Sequence, residues 1–423
     1  MEPSEEIQTV ENPEIINKYQ MVAEVSNQVR STHFSAPYSM FHLLEDIKGV
    51  VISQNLCVLR KLIESAVDGA SILDLCTLGD KLIEEGVKVL YAKNKNISKG
   101  IAFPTCVSVN HIICHFSPLP SDQEGSETLK NGDLAKIELG AQIDGYAAIV
   151  ATTIVVGASK ENPVKGRLAD VLTAAYLASE AAMRLTKPGL NNMEVTETIQ
   201  KIAKSYETNP VEGMLSYQQN RNDIEGDKQI ILNPSDQQKR EFQSVTFEEN
   251  EVYGIDILVS TGEGKPKPSS ARTTVYRKTN KTYSLKIKTS RAVFAEISQK
   301  FGSFPFPLRA LGDEKKARMG IVECSKHGLV TPYDVYQEKE GEFVAQFFNT
   351  ILLTKNGTIK ITNIPFDPEI VQSDKKIEDE KILELLSTNI RPTKKKNKKK
   401  QAGDKDSEEK GKDTAVVAEN AKE

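Results

Sequence analysis

Apolar residues recur at helical spacing through the first part of the chain. Tyr19, Val22, Val25 and Val29 share one stripe, and Leu59, Leu62, Ile63 and Ala66 share another. Pro37 and Gly49 lie between them and argue against a single helix. Leu78-Gly79-Asp80 is expected to open a further helix that carries Leu82, Ile83 and Val87 on one face. The period then changes to two. Ile137, Leu139 and Ile143 alternate with polar residues, and Asp144-Gly145 supplies the positive-φ turn. The return run ends in Thr153-Ile154-Val155-Val156, so residues 135–156 are predicted to form a hairpin. Residues 163–186 form the clearest helix. Pro163 sits near its start, Leu168, Val171, Leu172, Ala175, Ala178, Ala182 and Leu185 lie on one face, and Lys187-Pro188-Gly189 stops it. A second helix carries Val195, Ile199 and Ile202 and ends before Asn209-Pro210. Strands are predicted at Glu251–Ser260, Thr273–Arg277 and Phe343–Thr354, with a helical stretch from about Thr289 to His327 between the last two. No period of 20–50 residues repeats, and helix pairs alternating with antiparallel hairpins define an α+β class.

Composition adds boundaries. Residues 1–14 are acidic and are expected to be disordered; they contain no apolar core of a signal peptide. The last 33 residues contain no Leu, Ile, Phe or Tyr and cannot bury a core. With 423 residues, a net charge of −4 and no run of 18 apolar residues, the chain offers no membrane helix, and any signal for nucleic acid must be local. That signal is Lys394, Lys395, Lys396, Lys398, Lys399 and Lys400, six lysines within seven residues. Such a run neutralises phosphates and also suits a nuclear address. Just before it, Ile382, Leu385 and Leu386 share one helical face, either to meet a partner groove or to pack on their own domain. Five cysteines, widely spaced and without a C-x-x-C pair, fit free thiols in a reducing compartment. No phosphate loop or serine nucleophile stands out: Gly262-Glu263-Gly264-Lys265 is too short for the former.

Several segments resemble methionine aminopeptidases of the second type. They are Gly100–Thr105, Val109-Asn110, His115–Pro118, Gly132-Asp133, Lys136–Gly140, Glu251–Asp256, Ser260–Gly264 and Ala345–Phe347, in the family's order. Gly213–Ser216, Asn233–Lys239, Asp313–Gly320 and the lysine tail narrow the likeness to the proliferation-associated, receptor-tyrosine-kinase-binding branch of that superfamily. The resemblance implies the curved antiparallel sheet of the pita-bread fold over residues 15–365, with a helical insertion at about 286–335 and a C-terminal helix and tail over 366–423. Residues 30–58 depart from the family; they are an isoform-specific loop or translated non-coding sequence.

An aminopeptidase of this type holds two divalent ions with five side chains, because two hard cations close together need several anionic oxygens. The resemblance carries these positions to Glu138, Ile149, Tyr217, Asp256 and Phe348, of which only Glu138 and Asp256 keep a carboxylate. Glu138 and Asp256 are then a residual polar pair or a weak site for one ion. His115, the retained helper histidine, and His111 are either vestigial or structural. Ile149 and Phe348 are expected to fill the emptied centre. The expectation is therefore a protein with no catalytic residues, metal or cofactor. It would bind ribosomal RNA and the large ribosomal subunit in the cytoplasm, nucleus and nucleolus. The competing readings are a divergent metal-dependent methionine aminopeptidase and an adaptor that holds peptide termini.

Overall fold

In the computed structural model, residues 12–27, 58–94, 96–364 and 366–390 are described. Residues 1–11, most of the 30–58 segment and the lysine run at 394–400 lie outside that set. Helices α1 (Pro13–Asn27), α2 (Val58–Ser65) and α3 (Ile72–Val89) open the domain. Strands β1 (Lys99–Val109), β2 (Ile112–Cys114), β3 (Leu134–Ile143) and β4 (Tyr146–Val155) follow, then the helix pair α4 (Gly166–Leu185) and α5 (Asn192–Ser205). Next come β5 (Asn209–Pro210), β6 (Leu215–Gln219), β7 (Gln229–Ile231), α6 (Asp236–Glu241) and β8 (Val252–Ser260).

Beyond the short β9 (Lys267–Pro268) stands an inserted unit of β10 (Val275–Lys278), α7 (Lys288–Lys300), β11 (Phe306–Pro307), α8 (Glu314–Lys326) and β12 (Val330–Tyr333). The chain closes with β13 (Tyr336–Gln337), β14 (Val344–Thr354), β15 (Gly357–Lys360) and α9 (Glu380–Ser387). The nine-stranded antiparallel sheet runs β1-β3-β4-β14-β8-β6-β7, with β15 on β14 and β5 on β8. This is the pita-bread architecture that the motifs imply.

The predicted hairpin forms with Leu134 opposite Val155 and Ile143 opposite Tyr146, and Asp144 and Gly145 both take positive φ in its turn. Two expected helix starts need correction. The helix assigned to Leu78-Gly79-Asp80 begins at Ile72, capped by the Ser71 hydroxyl on the Asp74 amide. Gly79 is mid-helix because a Cβ there would meet Thr105 Oγ1 at 2.4 Å, so the missing side chain lets α3 lie close on β1. Helix α4 starts at Gly166 rather than Pro163, because Val164 is engaged in backbone bonds with Ile370 and Gln372. The helical stretch from Thr289 to His327 forms as two helices, α7 and α8. Gly302, Pro305 and Pro307 separate the two; Phe306, Leu308 and Leu311 are buried in one cluster with residues of α7 and α8, and Phe304 is buried in another with Phe103, Cys106 and Ile149.

Two halves of the sheet meet at a seam between β4 and β14, where the ladder narrows to one residue pair, Phe348 opposite Ala151. Two threonine hydroxyls satisfy the backbone on either side. Thr153 Oγ1 donates to the Gln346 carbonyl (2.7 Å) and accepts from the Gln346 amide (2.7 Å). Thr350 Oγ1 donates to the Ile149 carbonyl (2.9 Å) and accepts from the Ile149 amide (3.0 Å). Thr350→Val should therefore orphan two buried backbone groups and cost about 1–3 kcal/mol, whereas Thr350→Ser should retain most of the stability. Chemical denaturation of the three proteins measures this; equal losses in Val and Ser would show that the hydroxyl bridge contributes nothing.

Candidate functional site

Residues two apart share a face of a strand, so the registers place one set of side chains on the inner face of the sheet. Glu138 on β3 lies opposite Cys106 on β1 and Ala151 on β4. Phe348 lies opposite Ala151 and Asp256, and Tyr217 lies opposite Gly254. Glu138, Asp256 and Gln346 are all buried at the floor of this face. The Gln346 amide donates to Asp256 Oδ1 (2.9 Å) and also bonds to Glu138.

Burial raises both carboxyls far above the ordinary carboxylate range, and for Glu138 the neighbouring Asp256 charge adds to the effect. Burial takes Asp256 to about 7. Phe348 and Ile149 turn into the same space. A Cβ on Gly254 would meet Phe348 Cζ at 2.5 Å, and one on Gly140 would meet Ile149 Cγ1 at 2.8 Å, so each glycine makes room for the side chain over it. Ile149 belongs to an apolar cluster with Phe103, Cys106, Ile224, Val275 and Phe304, against which Phe348 packs. Tyr217 is half-buried, and its hydroxyl is pushed up to about 12 by burial and by the charge of Glu225.

The registers thus put the five positions taken from the resemblance on one face of the sheet, where two supply only carbon and one a protonated phenol. These residues do not fit a pair of divalent ions. Among the described residues no group of three or more His, Cys, Asp or Glu side chains is placed to hold a metal. His115 takes positive φ and bonds through Nδ1 to the Asp334 carbonyl (3.1 Å). Its ring meets Phe103 and Tyr333 edge-on or tilted, at 5.9 and 5.2 Å. Burial lowers it to about 4, so it is neutral at physiological pH. His111 is half-buried at the β1–β2 turn, and burial lowers its pKa as well.

Gln346 enters the sequence reading only as part of the Ala345–Phe347 motif, and Gln219 does not enter it. Both amide ends of Gln219 are buried beside Gly254 without a protein partner. The available signal was period two: Gln346 is a polar residue two before Phe348, on the same face of an apolar strand. Ile382, set out for a partner groove, is instead buried in the main core, and Leu385 and Leu386 pack against that core. This face of α9 is covered by the protein's own domain; Leu383 on another side is exposed.

Comparison with known proteins agrees with this fold. The model of metallopeptidase family M24 matches residues 56–263. The curved DNA-binding protein of Schizosaccharomyces pombe is 46% identical over 393 residues, which span 93% of this chain and 94% of the relative. The ERBB-3 binding protein 1 of Solanum tuberosum is 40% identical over 403 residues, 95% of this chain and 93% of the relative. A solved thermophilic Arx1 superposes with a TM-score of 0.78 at 33% identity, covering 90% of this chain and all of that one. The methionine aminopeptidase of Thermotoga maritima, at 17% identity and a TM-score of 0.51, shares the fold. The chain belongs to metallopeptidase family M24, in the branch of the proliferation-associated and ERBB-3-binding relatives. Within the family it is an atypical member, since its inner face departs from the five-ligand pattern.

The raised Asp256 gives a pH signature. Its ordinary value is 3.8 and its folded value about 7, so the folded protein keeps a proton that the unfolded chain releases. The resulting stability is complete below about pH 4 and is lost as pH rises through 7. Thermal melting should show Asp256→Asn gaining on wild type as pH goes from 5 to 8. A pH-independent difference between the two would mean that Asp256 is not held protonated.

Proposed function

We propose that this chain is a catalytically silent member of family M24 that binds RNA and the large ribosomal subunit. The observation that carries the silent half is the pair of side chains Ile149 and Phe348, which occupy the positions of bridging carboxylates with apolar packing. An aminopeptidase of this kind depends on a metal-bound hydroxide. Without ligands to generate it, His115 has no water to take a proton from, and its own basicity is low.

The RNA half is supported by charge. The six tail lysines provide one site. The inserted unit provides another, because Lys281, Lys286, Lys288, Lys315, Lys316 and Lys326 are all exposed on it. Exposed Tyr283 stacks on His327 beside them, with ring centroids 3.7 Å apart. Basic side chains beside an exposed tyrosine suit a phosphate backbone with unstacked bases. The 46% identical relative is named for binding curved DNA, which is consistent with a polyanionic partner. Ribosome association and a cytoplasmic and nuclear distribution, nucleolus included, follow from the branch resemblance. No described helix is long and apolar enough to cross a membrane.

Two experiments test this reading. Replacing the six tail lysines with Gln should weaken RNA binding and flatten its salt dependence, by about 0.7 in the log–log slope for each single-strand phosphate no longer neutralised, with stability unchanged. An unchanged slope would leave the inserted unit as the whole RNA site; sedimentation of the wild type apart from large subunits would overturn the ribosomal part. For the silent centre, Ile149→Asp, Tyr217→His and Phe348→Glu together should lower the melting temperature, because uncompensated carboxylates cost several kcal/mol in that packing. Melting with and without Mn²⁺ and an assay for N-terminal Met release decide it. Wild type that holds two ions and releases Met would establish the competing aminopeptidase.

A further inference from the structure

Residues 220–226, the first part of the connection between β6 and β7, pack on the filled centre, where Ile224 is buried in the cluster of Ile149. They form a tight turn in which Asn220 and Asp223 exchange backbone bonds (2.8 and 3.1 Å), with Asn222 at positive φ. On one side it is fastened to the β3–β4 hairpin. Arg221 donates to Asp144 Oδ1 (2.7 Å) and to the Asp144 carbonyl (2.9 Å), and the Asn222 amide donates to the Gly145 carbonyl (2.8 Å). On the other side it is fastened to the inserted unit. Arg277 pairs with Glu225 (2.8 Å) and Asp223 (3.3 Å), the Tyr333 hydroxyl donates to Glu225, and Ser303 donates to the Asn222 carbonyl. Nearly all of these ties are polar. The one apolar anchor is Ile224, which is buried in the cluster that holds Ile149, Phe103, Cys106 and Phe304.

We propose that residues 220–226 form a strap that plugs the old substrate cleft through Ile224, is latched to the inserted unit by Arg277, and opens as a unit while the domain stays folded. Segments held by few apolar contacts and many solvent-reachable polar ones open at low free energy, whereas the sheet beneath opens only with the whole domain. Opening lifts Ile224 off its seat and leaves Phe103, His115 and Tyr333 facing the solvent, so entry to the cleft is set by the latch. Release by salt follows, because the Arg277 pairs are partly exposed and screenable.

Cys106 gives the readout, since its thiol is buried in the same cluster under the strap. The full-length protein is treated with iodoacetamide, and the rate of alkylation at each cysteine is followed by mass spectrometry. Arg277→Ala should raise the Cys106 rate by about tenfold or more, the scale of one charge-assisted bond, with Cys76 and Cys324 unchanged. In wild type the Cys106 rate should rise with sodium chloride while the other two stay flat. Glu225→Gln is the second variant and should show the same selective rise, which keeps the test decisive if Arg277→Ala does not fold. A Cys106 rate insensitive to both salt and the Glu225 change overturns the proposal. So does a parallel rise at Cys76, Cys106 and Cys324, which would report loosening of the whole domain.

Discussion

The seam between β4 and β14 is the constraint on which the rest of the molecule depends. Two half-sheets diverge there, and their backbones come together only at Phe348 and Ala151. Divergence creates the concave inner face, but it also leaves peptide groups of both strands out of reach of each other. Buried peptide groups must find partners, and here Thr153 and Thr350 reach across in near-mirror fashion, each hydroxyl both donating and accepting. A pair of ions would tie such halves together through anionic side chains on both sides. In this chain the corresponding tie is a phenyl ring and an aliphatic side chain meeting over glycines.

That substitution explains the local sequence. Gly254 and Gly140 are small where Phe348 and Ile149 are large, so the packing is complementary across strands. It also explains why two carboxyls can remain. Glu138 and Asp256 share Gln346, and burial keeps them protonated over part of the pH range, so neither requires a cation. A residual acidic pair is therefore compatible with an apolar filling. The exposed lysines of the inserted unit lie on a different part of the sequence from the buried carboxyls, so the inherited cleft and the described surface proposed for RNA draw on separate segments.

The hairpin of β3 and β4 could be read from period-two alternation and Asp144-Gly145, because both signals are local. The five positions taken from the resemblance share one face because they sit in strands, where register is rigid. Tyr217 arrived beside Gly254 although its motif precedes a loop. What escaped was set by contacts distant in sequence. Gly79 resembles a helix boundary until Thr105 is seen against it, and Val164 leaves its helix to join residues 370–372. The face of α9 reads equally as a docking stripe or a packing stripe, and only the position of α4 decides for Ile382. Ile224 gave no signal at all: one isoleucine in a polar loop has no period, and its significance comes from Ile149 lying beneath.

The order of strands in the sheet also bears on synthesis. β14 lies between β4 and β8, yet it is made long after both. Until residues 344–354 leave the ribosome, β4 and β8 have no shared neighbour, and each presents an unpaired, largely apolar edge. A nascent chain stopped short of β14 is thus two half-sheets without a keystone, prone to pair with other chains rather than with itself. Closing the domain waits on one late strand with distant partners, which makes folding slow relative to its helices and leaves the growing chain most in need of shelter just before that strand appears.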